Sequence, residues 1–407
     1  MSEVAHPDSR IIFLGGIFPP SQIDLIYRES RGVIQGAADG LQKSLLTGLA
    51  SNGADLAIVN LPYVGAYPRG FTQPVFPAVE DSFAGAPLHG QRFVLVRVLK
   101  TLHRVVAAFS GLQNVNPRSR IKSDRKRTVV MVYAAHLPFL FAALGHRFLR
   151  KDCSVCLILP DLPEFMGDGG RLYKIVKSID SNLFYKLAKR IDYFVVLTAA
   201  VADRLGLAPE RFVIVEGIAD NRGDGDPVEP GKRAFLYTGT LARRYGVIDL
   251  LEAFQTLDAP NAELWICGEG DGAKQIENAA ATDPRIKFFG QVTRDKAREL
   301  QKQATVLVNP RLPVGEFTKY SFPSKTMEYM AAGRPVLMYR LPGIPEEYHD
   351  YFVSPSDNST EALTSAMLQL IGWSDGRLAE FGHRAREFVL REKNPAVQTR
   401  KILRLIG

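Results

Sequence analysis

The sequence has few cysteines and no long apolar run. Three cysteines among 407 residues are fewer than a secreted protein of this size normally uses for disulfides. No apolar run approaches the roughly 20 residues that span a bilayer. The N-terminal MSEVAHPDSR is polar and lacks the basic and apolar parts of a secretory signal. We therefore expect a protein that stays in the cytoplasm.

Acidic residues are scarce in the first half of the chain. Residues 1–220 contain 26 Lys and Arg against 19 Asp and Glu, whereas residues 221–407 contain 25 against 24. Much of the excess lies in residues 118–127 and in two basic amphipathic segments, 92–106 and 171–190. Such segments can lie on an anionic membrane, hold an anionic acceptor, or be core helices with a solvated basic side. No nucleic-acid-binding module accompanies the charge, so we expect no nucleic-acid partner.

Short apolar runs alternate with longer amphipathic ones from Ile11 onward, which is typical of a parallel sheet with covering helices. The chain is too long for one ordinary core, and the pattern stops and restarts around GIADNRGDGDPVEPGKR, residues 217–233. We predict an α/β protein of two tandem doubly wound, Rossmann-like domains that face a cleft. Their predicted ranges are 1–219, a linker 220–233, 234–376, and C-terminal helices 377–407 that could cross back onto the first domain.

Two short motifs suggest metal sites but fit simpler roles. Asp224 and Asp226 form D-x-D inside the predicted linker, where a polar turn is the better interpretation. Cys153 and Cys156 form C-x-x-C inside an apolar run, and no second pair completes a zinc site. We predict core cysteines and no metal site.

Glycine-rich turns follow strands in both halves. Gly15 and Gly16 in FLGGIFPP follow the first strand, where bare backbone could approach a phosphate. Gly268, Gly270 and Ala273 match the dinucleotide pattern G-x-G-x-x-A, but the next strand, RIKFFG, lacks the required acid. We predict no dinucleotide cofactor.

The segment KYSFPSKTMEYMAAGRPV predicts a helix from about Pro323 to Ala332 that ends at Gly333. Lys325 and Glu328 lie three residues apart on one face. The hydroxyls of Ser321, Ser324 and Thr326 gather near its N-terminus, which suits an anion such as phosphate. A surface helix with a salt bridge is the alternative.

Two segments together, LYTGTLARRYGVIDLLEAF and SFPSKTMEYMAAGRPVL, joined by WICGEG, FFGQV and VLVNP, resemble the retaining glycosyltransferase family 4, of the GT-B fold. The resemblance covers residues 234–375 and, more weakly, the first half. It implies metal-independent transfer of a hexose-type sugar, with retention, from a nucleotide-diphosphate donor to a hydroxyl of a glycan or lipid-linked acceptor. Enzymes of this kind act in bacterial surface polysaccharide biosynthesis. The nucleotide sugar is a substrate, and no cofactor is implied.

The resemblance also implies roles for particular residues. Arg243 or Arg244 would contact the diphosphate, with Thr240 standing where the family has arginine. Ser324 and Lys325 would complete this contact, and Glu328 would bind the ribose. Tyr320 stands where the family has its first acid, with Glu316 nearby. In the first domain, His136 and Asp161 are candidates for the cleft, together with the Gly15–Gly16 loop.

Two other functions remain open. One is a catalytically weak GT-B accessory protein that binds a nucleotide sugar or a partner. The other is an epimerase or phosphorylase of the same fold. With the basic first half, the expected partners are a nucleotide-sugar donor, a glycan or lipid-linked acceptor and an anionic membrane surface on the inner face of the cell membrane.

Overall fold

The computed structural model describes residues 9–32, 34–116, 127–165, 171–219 and 233–407. The chain divides into two compact units, one containing residues up to Ile218 together with Pro395–Gly407, the other containing Ala219–Asn394. Each unit contains a mainly parallel sheet with helices, which confirms the predicted α/β class with two Rossmann-like domains. The basic stretch 118–126, Asp224, Asp226 and all of the predicted linker but Arg233 lie outside the described residues.

The first unit alternates strands and helices from its N-terminus. Its helices and strands are β1 Ser9–Gly15, α1 Ile23–Glu29, α2 Gly36–Ser51, β2 Asp55–Asn60, β3 Val75–Phe76, β4 Val79–Phe83, β5 Ala86–Gly90, β6 Phe93–Val94, α3 Arg97–Val115, β7 Arg127–Tyr133, α4 Leu137–Leu149, β8 Cys153–Leu159, α5 Arg171–Ala188, β9 Tyr193–Val196, α6 Ala199–Leu205 and β10 Phe212–Ile214.

The main sheet of the first unit has the order β10-β9-β8-β7-β1-β2-β5-β4, and its strands pair in parallel except for the antiparallel edge pair β4 and β5. The central strands are buried along almost their whole length, as expected for parallel strands covered on both faces. Cys153 and Cys156 are buried in β8.

The second unit follows the same principle with a smaller sheet. Its elements are β11 Arg233–Thr238, α7 Val247–Gln255, β12 Ala262–Cys267, α8 Ala273–Thr282, β13 Ile286–Gly290, α9 Arg294–Gln303, β14 Val306–Asn309, α10 Phe317–Tyr320, α11 Ser324–Ala331, β15 Val336–Met338, α12 Thr360–Ile371 and α13 Asp375–Glu392.

The sheet of the second unit has the order β13-β12-β11-β14-β15, and every pair is parallel. The chain starts in the middle strand, builds β12 and β13 on one side, and then crosses to β14 and β15 on the other. A reversal of this kind leaves a crevice at the carboxyl ends of the two central strands, β11 and β14, where ligands bind in open α/β sheets.

The two C-terminal helices belong to different units. Helix α13 lies in the second unit, whereas α14, Pro395–Ile406, lies in the first. Ile402 of α14 packs in the first unit's core with Leu45 of α2, and Asn52 donates a hydrogen bond to Thr399 Oγ1 at 2.9 Å. The C-terminal segment that packs in the first unit thus begins near Pro395. Within the described ranges, no helix is both long and apolar enough to span a membrane.

Candidate functional site

Helix α11 closely matches the segment expected to be helical. It runs from Ser324 to Ala331, with Pro323 as the residue before its first turn. Met327 and Met330 are buried, while the side chains of Lys325 and Glu328 are about one-third exposed, at 30% and 33%. This amphipathic arrangement anchors the helix in the core and leaves the charged pair accessible.

The hydroxyl groups near α11 separate into different environments. Ser324 is exposed, whereas Thr326 is fully buried and its hydroxyl lies 3.9 Å from the Met338 sulfur. The Ser321 hydroxyl accepts a hydrogen bond from Arg311 at 3.1 Å and donates one to the Phe317 carbonyl. The prediction that three hydroxyls gather at the N-terminus is therefore wrong for Thr326, because this residue is on the core side of the helix.

Lys325 and Glu328 form a small polar cluster with Thr238 and Gln301. The Lys325 ammonium lies 3.2 Å from a Glu328 carboxylate oxygen and 3.3 Å from the Thr238 hydroxyl. The Gln301 amide donates to the other Glu328 oxygen at 2.7 Å and to Thr238 Oγ1 at 3.2 Å. Thr238 ends β11, Gln301 lies near the end of α9, and the other two residues lie on α11. Three elements thus converge at the carboxyl end of the central strand.

Tyr329 fixes α11 to β11 behind this cluster. Its hydroxyl accepts a hydrogen bond from the Thr238 amide at 2.9 Å and is 3.2 Å from the Thr238 carbonyl oxygen, to which it donates. Tyr329 is fully buried, and burial raises its pKa above the ordinary value. The tyrosine therefore stays protonated and able to donate at neutral pH. Its two hydrogen bonds to Thr238 connect α11, which carries the charged pair, to the end of β11.

The Glu328 carboxyl is ionised at neutral pH. Burial alone would raise its pKa, but the Lys325 charge and the hydrogen bonds from Gln301 and Lys325 outweigh burial and hold the pKa below the ordinary value. The carboxylate form is therefore the one that meets a ligand at neutral pH. A group with a depressed pKa loses its favourable interactions only when acid protonates it.

The cluster has capacity left for a ligand. A carboxylate offers about four acceptor positions and an ammonium three donors. Within the described part of the chain, two Glu328 acceptors are used by Gln301 and Lys325, and two Lys325 donors are used by Thr238 and Glu328. What remains suits a pair of hydroxyls at Glu328 and one anionic oxygen at Lys325. A vicinal diol next to a phosphate has this pattern.

The loop after β11 carries the two candidate arginines. Arg243 and Arg244 are exposed in the short 3₁₀ turn Arg243–Tyr245. The Arg243 amide donates to Asp271 at 2.9 Å, while the Arg244 guanidinium lies 5.1 Å from the Tyr245 ring centroid. The backbone amide of Arg243 thus anchors the loop. Both arginines follow the carboxyl end of β11.

Two positions in the same loop have different structural roles. The exposed Thr240 contributes its carbonyl oxygen to the Tyr237 hydroxyl at 2.8 Å. Gly246 follows the turn with φ of +77°, and a Cβ there would lie 2.0 Å from the Pro310 carbonyl oxygen. Only glycine meets both conditions, a left-handed backbone and close approach to another loop.

Glu316 and Tyr320 act as one pair. The Tyr320 hydroxyl donates to a Glu316 carboxylate oxygen at 3.2 Å, because Glu316 directly precedes α10 and lies one helical turn away. The sequence left open which of these two replaces the family's first acid. Their hydrogen bond means that substituting either one changes the environment of the other.

Sequence reasoning missed Arg311, which lies two residues beyond β14. Its guanidinium lies 4.5 Å from the Phe317 ring centroid and 5.6 Å from that of Tyr245, and it also hydrogen-bonds to Ser321. It thereby connects the loop after β11 with the segment leading into α11. Its position after a strand at the crevice was a usable signal.

The Gly15–Gly16 loop of the first unit is tightly packed. The amides of Gly16, Ile17 and Phe18 donate to side-chain oxygens of Gln42, Asn60 and Asp39, at 2.8, 2.8 and 2.7 Å. A Cβ at either glycine would lie within 2.8 Å of atoms of neighbouring residues. Contact of this loop with a phosphate stays a prediction, and in the structure the neighbouring side chains account for both glycines.

His136 and Asp161 lie beyond the carboxyl ends of the adjacent strands β7 and β8. The His136 ring lies edge-on to Phe139 and Tyr63, with centroids 4.6 and 5.7 Å away. Burial, aided by the charges of Arg104 and Lys100, lowers the pKa of His136 well below its ordinary value, so the imidazole is neutral. Asp161 is exposed and contributes to the raised pKa of Tyr133, after burial and Tyr63.

The predicted residues therefore fall into two groups. The first unit brings Gly15, Gly16, His136 and Asp161 to the carboxyl ends of β1, β7 and β8. The second unit brings the following residues to loops and helix ends around β11 and β14: Thr240, Arg243, Arg244, Glu316, Tyr320, Ser324, Lys325 and Glu328. In both units these residues lie at the edge of the sheet where parallel strands have their carboxyl ends, which is where such sheets bind ligands.

Comparison with known proteins gives a family match and a fold match. The model of the family described as "Glycosyl transferases group 1" matches residues 232–372. None of the curated proteins matches the sequence.

Solved structures match over nearly the whole chain. Sucrose-phosphate synthase from Thermosynechococcus elongatus is 15% identical, with a TM-score of 0.64 and coverage of 98% of this chain and 99% of that one. Anabaena HepE in complex with UDP and glucose is 12% identical, with a TM-score of 0.58 and the same coverage. A UDP-forming α,α-trehalose-phosphate synthase from Burkholderia xenovorans is 12% identical, with a TM-score of 0.62 and 98% coverage of both chains. At such low identity these matches show the GT-B fold and not a shared substrate.

Proposed function

We propose that this chain, whose residues 232–372 match the model of the family described as "Glycosyl transferases group 1", transfers a hexose-type sugar from a nucleotide-diphosphate donor to an acceptor hydroxyl. The observation that carries the proposal is the cluster of Lys325, Glu328, Gln301 and Thr238 at the carboxyl end of β11. It offers carboxylate acceptors beside an ammonium donor at the crevice of an open α/β sheet.

The donor's nucleotide fits this cluster by its chemistry. The Glu328 carboxylate would accept hydrogen bonds from the two ribose hydroxyls, and Lys325 would contact the diphosphate. Arg243 or Arg244 would neutralise the charge that develops on the departing diphosphate, which is a large contribution to transfer catalysis. These cations would make the reaction independent of a metal ion. HepE, solved with UDP and glucose, makes UDP-glucose the first donor to test.

The acceptor half of the reaction belongs to the first unit in this proposal. The neutral His136 and Asp161, which follow the adjacent strands β7 and β8, would orient the acceptor hydroxyl. The hydroxyl would attack the sugar on the face that the diphosphate leaves, and the diphosphate would take its proton, so the anomeric configuration would be retained. The acceptor would be a glycan or a lipid-linked sugar of a bacterial surface polysaccharide. Anomeric analysis of the product by NMR tests retention, and activity that survives chelation by EDTA tests metal independence.

The first experiment measures thermal stabilisation by UDP, GDP, ADP and TDP and by their hexose conjugates. Ligand that binds only the native state must raise the melting temperature. We expect one nucleotide family to stabilise the wild type, with the shift lost in Lys325→Ala and Glu328→Ala. Lys274→Ala and Glu277→Ala are the matched controls, because this pair has the same i, i+3 spacing and an N–O distance of 2.9 Å on α8.

Incubation with radiolabelled donor separates binding from transfer. Label that appears on an acceptor or as free sugar supports a transferase. Intact donor that binds but never turns over would favour the accessory-protein alternative, whose motivation is Tyr320 in place of an acid. Recovery of an isomerised donor or a sugar phosphate would indicate the epimerase or phosphorylase alternative. If the control variants lose nucleotide binding as fully as the α11 variants, the proposed site is wrong.

A further inference from the structure

Three helices of the first unit expose large apolar side chains to solvent. On α3 these are Leu99, Leu102 and Val106, which are 52%, 65% and 58% exposed. On α4 Phe148 is 87% exposed, and on α5 Ile175 and Ile179 are 59% and 61% exposed. Scattered apolar residues need no explanation, but a set on neighbouring helices indicates an interaction surface. We call these six residues the apolar ridge.

The helices that carry the ridge also have buried faces, so the ridge is a second apolar surface. Ala108 and Leu112 of α3, Phe139 of α4 and Phe184 of α5 are completely buried. Helix α4 packs against both α3 and α5. Leu99, Leu102 and Val106 follow the i, i+3, i+7 spacing of one helix face. Each helix therefore satisfies the core on one side and presents apolar groups outward on another.

Exposed basic residues lie on or directly after the helices that carry the ridge. Among the side chains that the structure describes, these are Arg97 of α3, Lys151 just after α4, and Lys186, Lys189 and Arg190 at the end of α5 and after it. On the described parts of the same helices the one exposed acid is Asp180. The exposed charge beside the ridge is therefore mostly positive.

The combination of apolar and basic groups selects among possible partners. A second copy of the chain would bring two faces of the same charge together, which is repulsive. A nucleic acid would use the charge but would leave the aliphatic and aromatic side chains in water. The interface of an anionic bilayer accepts both, because apolar side chains enter the acyl boundary while Lys and Arg remain among the head groups.

We propose that α3, α4 and α5 bind the surface of an anionic lipid bilayer through the apolar ridge and its basic surroundings. Such binding would be peripheral and reversible, since the ridge belongs to surface helices of a folded unit. It would keep the acceptor-binding unit at the place where a lipid-linked acceptor is found. Vesicle binding requires no sugar donor, so its outcome is independent of whether the chain is a transferase.

The test is co-sedimentation of the full chain with phosphatidylcholine vesicles that contain either no anionic lipid or about 30 mol% phosphatidylglycerol. We expect binding that requires the anionic lipid and weakens by roughly tenfold or more between about 0.05 and 0.5 M salt, because screening shortens the range of the charges. Failure to bind anionic vesicles, or equal binding to both kinds of vesicle, would overturn the proposal.

Paired variants separate the ridge from general exposure. Leu102→Ser with Val106→Ser on α3, and Ile175→Ser with Ile179→Ser on α5, should each weaken binding by roughly tenfold, since burial of aliphatic groups drives insertion. Tyr27→Ser with Leu368→Ser is the matched control, because these residues are 58% and 43% exposed outside the ridge. Equal loss in the control would contradict the assignment.

A second readout distinguishes the bilayer from a second copy. Sedimentation velocity on the wild type and on the α3 variant should give the same monomer mass, and their melting temperatures should agree because Leu102 and Val106 are both exposed. A wild-type dimer that the α3 variant abolishes would show that another copy covers the ridge, and the bilayer proposal would be wrong.

Discussion

The two units share a sheet architecture but differ in what they expose. Sixteen large apolar side chains are exposed among the described residues, and thirteen of them lie in the first unit. The second unit contributes Phe289, Val314 and Leu368. The excess of positive charge also lies in the first part of the chain, because residues 1–220 carry nearly all of it. The same fold thus has two different chemical surfaces.

The difference lies in where the two units place their distinctive polar and apolar groups. In the second unit the informative residues, Lys325, Glu328, Gln301 and Thr238, meet at the end of a strand and are held by hydrogen bonds. In the first unit the exposed apolar side chains of the ridge lie on the outer faces of α3, α4 and α5. The strand-end cluster suits a small charged ligand, whereas the helix faces suit an extended surface.

The largest expected effect concerns the strand-end cluster. Lys325→Ala removes the ammonium that faces Glu328 and Thr238, and with it one cation available to a departing diphosphate. We expect kcat to fall by roughly 10²–10³-fold, while vesicle binding stays unchanged. Measurement of sugar transfer alongside co-sedimentation checks both. A comparable fall in Lys274→Ala would show that the effect is not specific to this cluster.

The next effect concerns the stability of the second unit alone. Gly246→Ala forces a side chain into a left-handed backbone at φ +77° and to within 2.0 Å of the Pro310 carbonyl oxygen. We expect the free energy of unfolding to fall by about 3 kcal/mol or more. Hydrogen exchange should locate the loss in β11 and α7. Gly376→Ala is the control, since nothing lies within 4 Å of its Cβ position, and it should be neutral or slightly stabilising in helix α13.

Many of the features compared above could be predicted from short stretches of the sequence. The alternation of apolar runs predicted both sheets, and Pro323 and Gly333 predicted the limits of α11 to within one residue. The pairing of Lys325 with Glu328 followed from their i, i+3 spacing. The basic segments 92–106 and 171–190 stood out as amphipathic. Each of these signals comes from residues that are close together in the sequence.

What could not be predicted depends on residues far apart in sequence. Gly15 and Gly16 suggested an open backbone, but Gln42, Asn60 and Asp39 come from other elements and occupy the loop's amides. Gln301 of α9 donates a hydrogen bond to Glu328 of α11, and the sequence of neither helix predicts this contact.

Acid should destabilise the first unit through a buried histidine. His146 of α4 is completely buried, and burial, followed by the Arg150 charge, lowers its pKa to about 4. The unfolded chain takes up a proton near pH 6.5 while the native state does not, so stability falls as pH drops from about 6.5 to 4. We expect His146 to account for an order of 2–3 kcal/mol over this window. Urea unfolding of wild type and His146→Phe at pH 7 and pH 5 should show a smaller acid loss in the variant, and an equal loss would contradict this account.

The smallest effect tests whether Arg311 acts through its shape. Its guanidinium stacks on Phe317 and Tyr245 and bonds Ser321, so Arg311→Lys keeps the charge but loses the planar contact. Because the contact connects two loops at the crevice of the second unit, we expect nucleotide affinity to weaken by about tenfold, or 1.4 kcal/mol. Calorimetric titration measures this change, with Arg377→Lys as control, since that arginine stacks on Trp373 at 4.1 Å on α13. If both variants bind nucleotide as the wild type does, Arg311 serves only to pack the two loops, and the expected effect on nucleotide affinity is wrong.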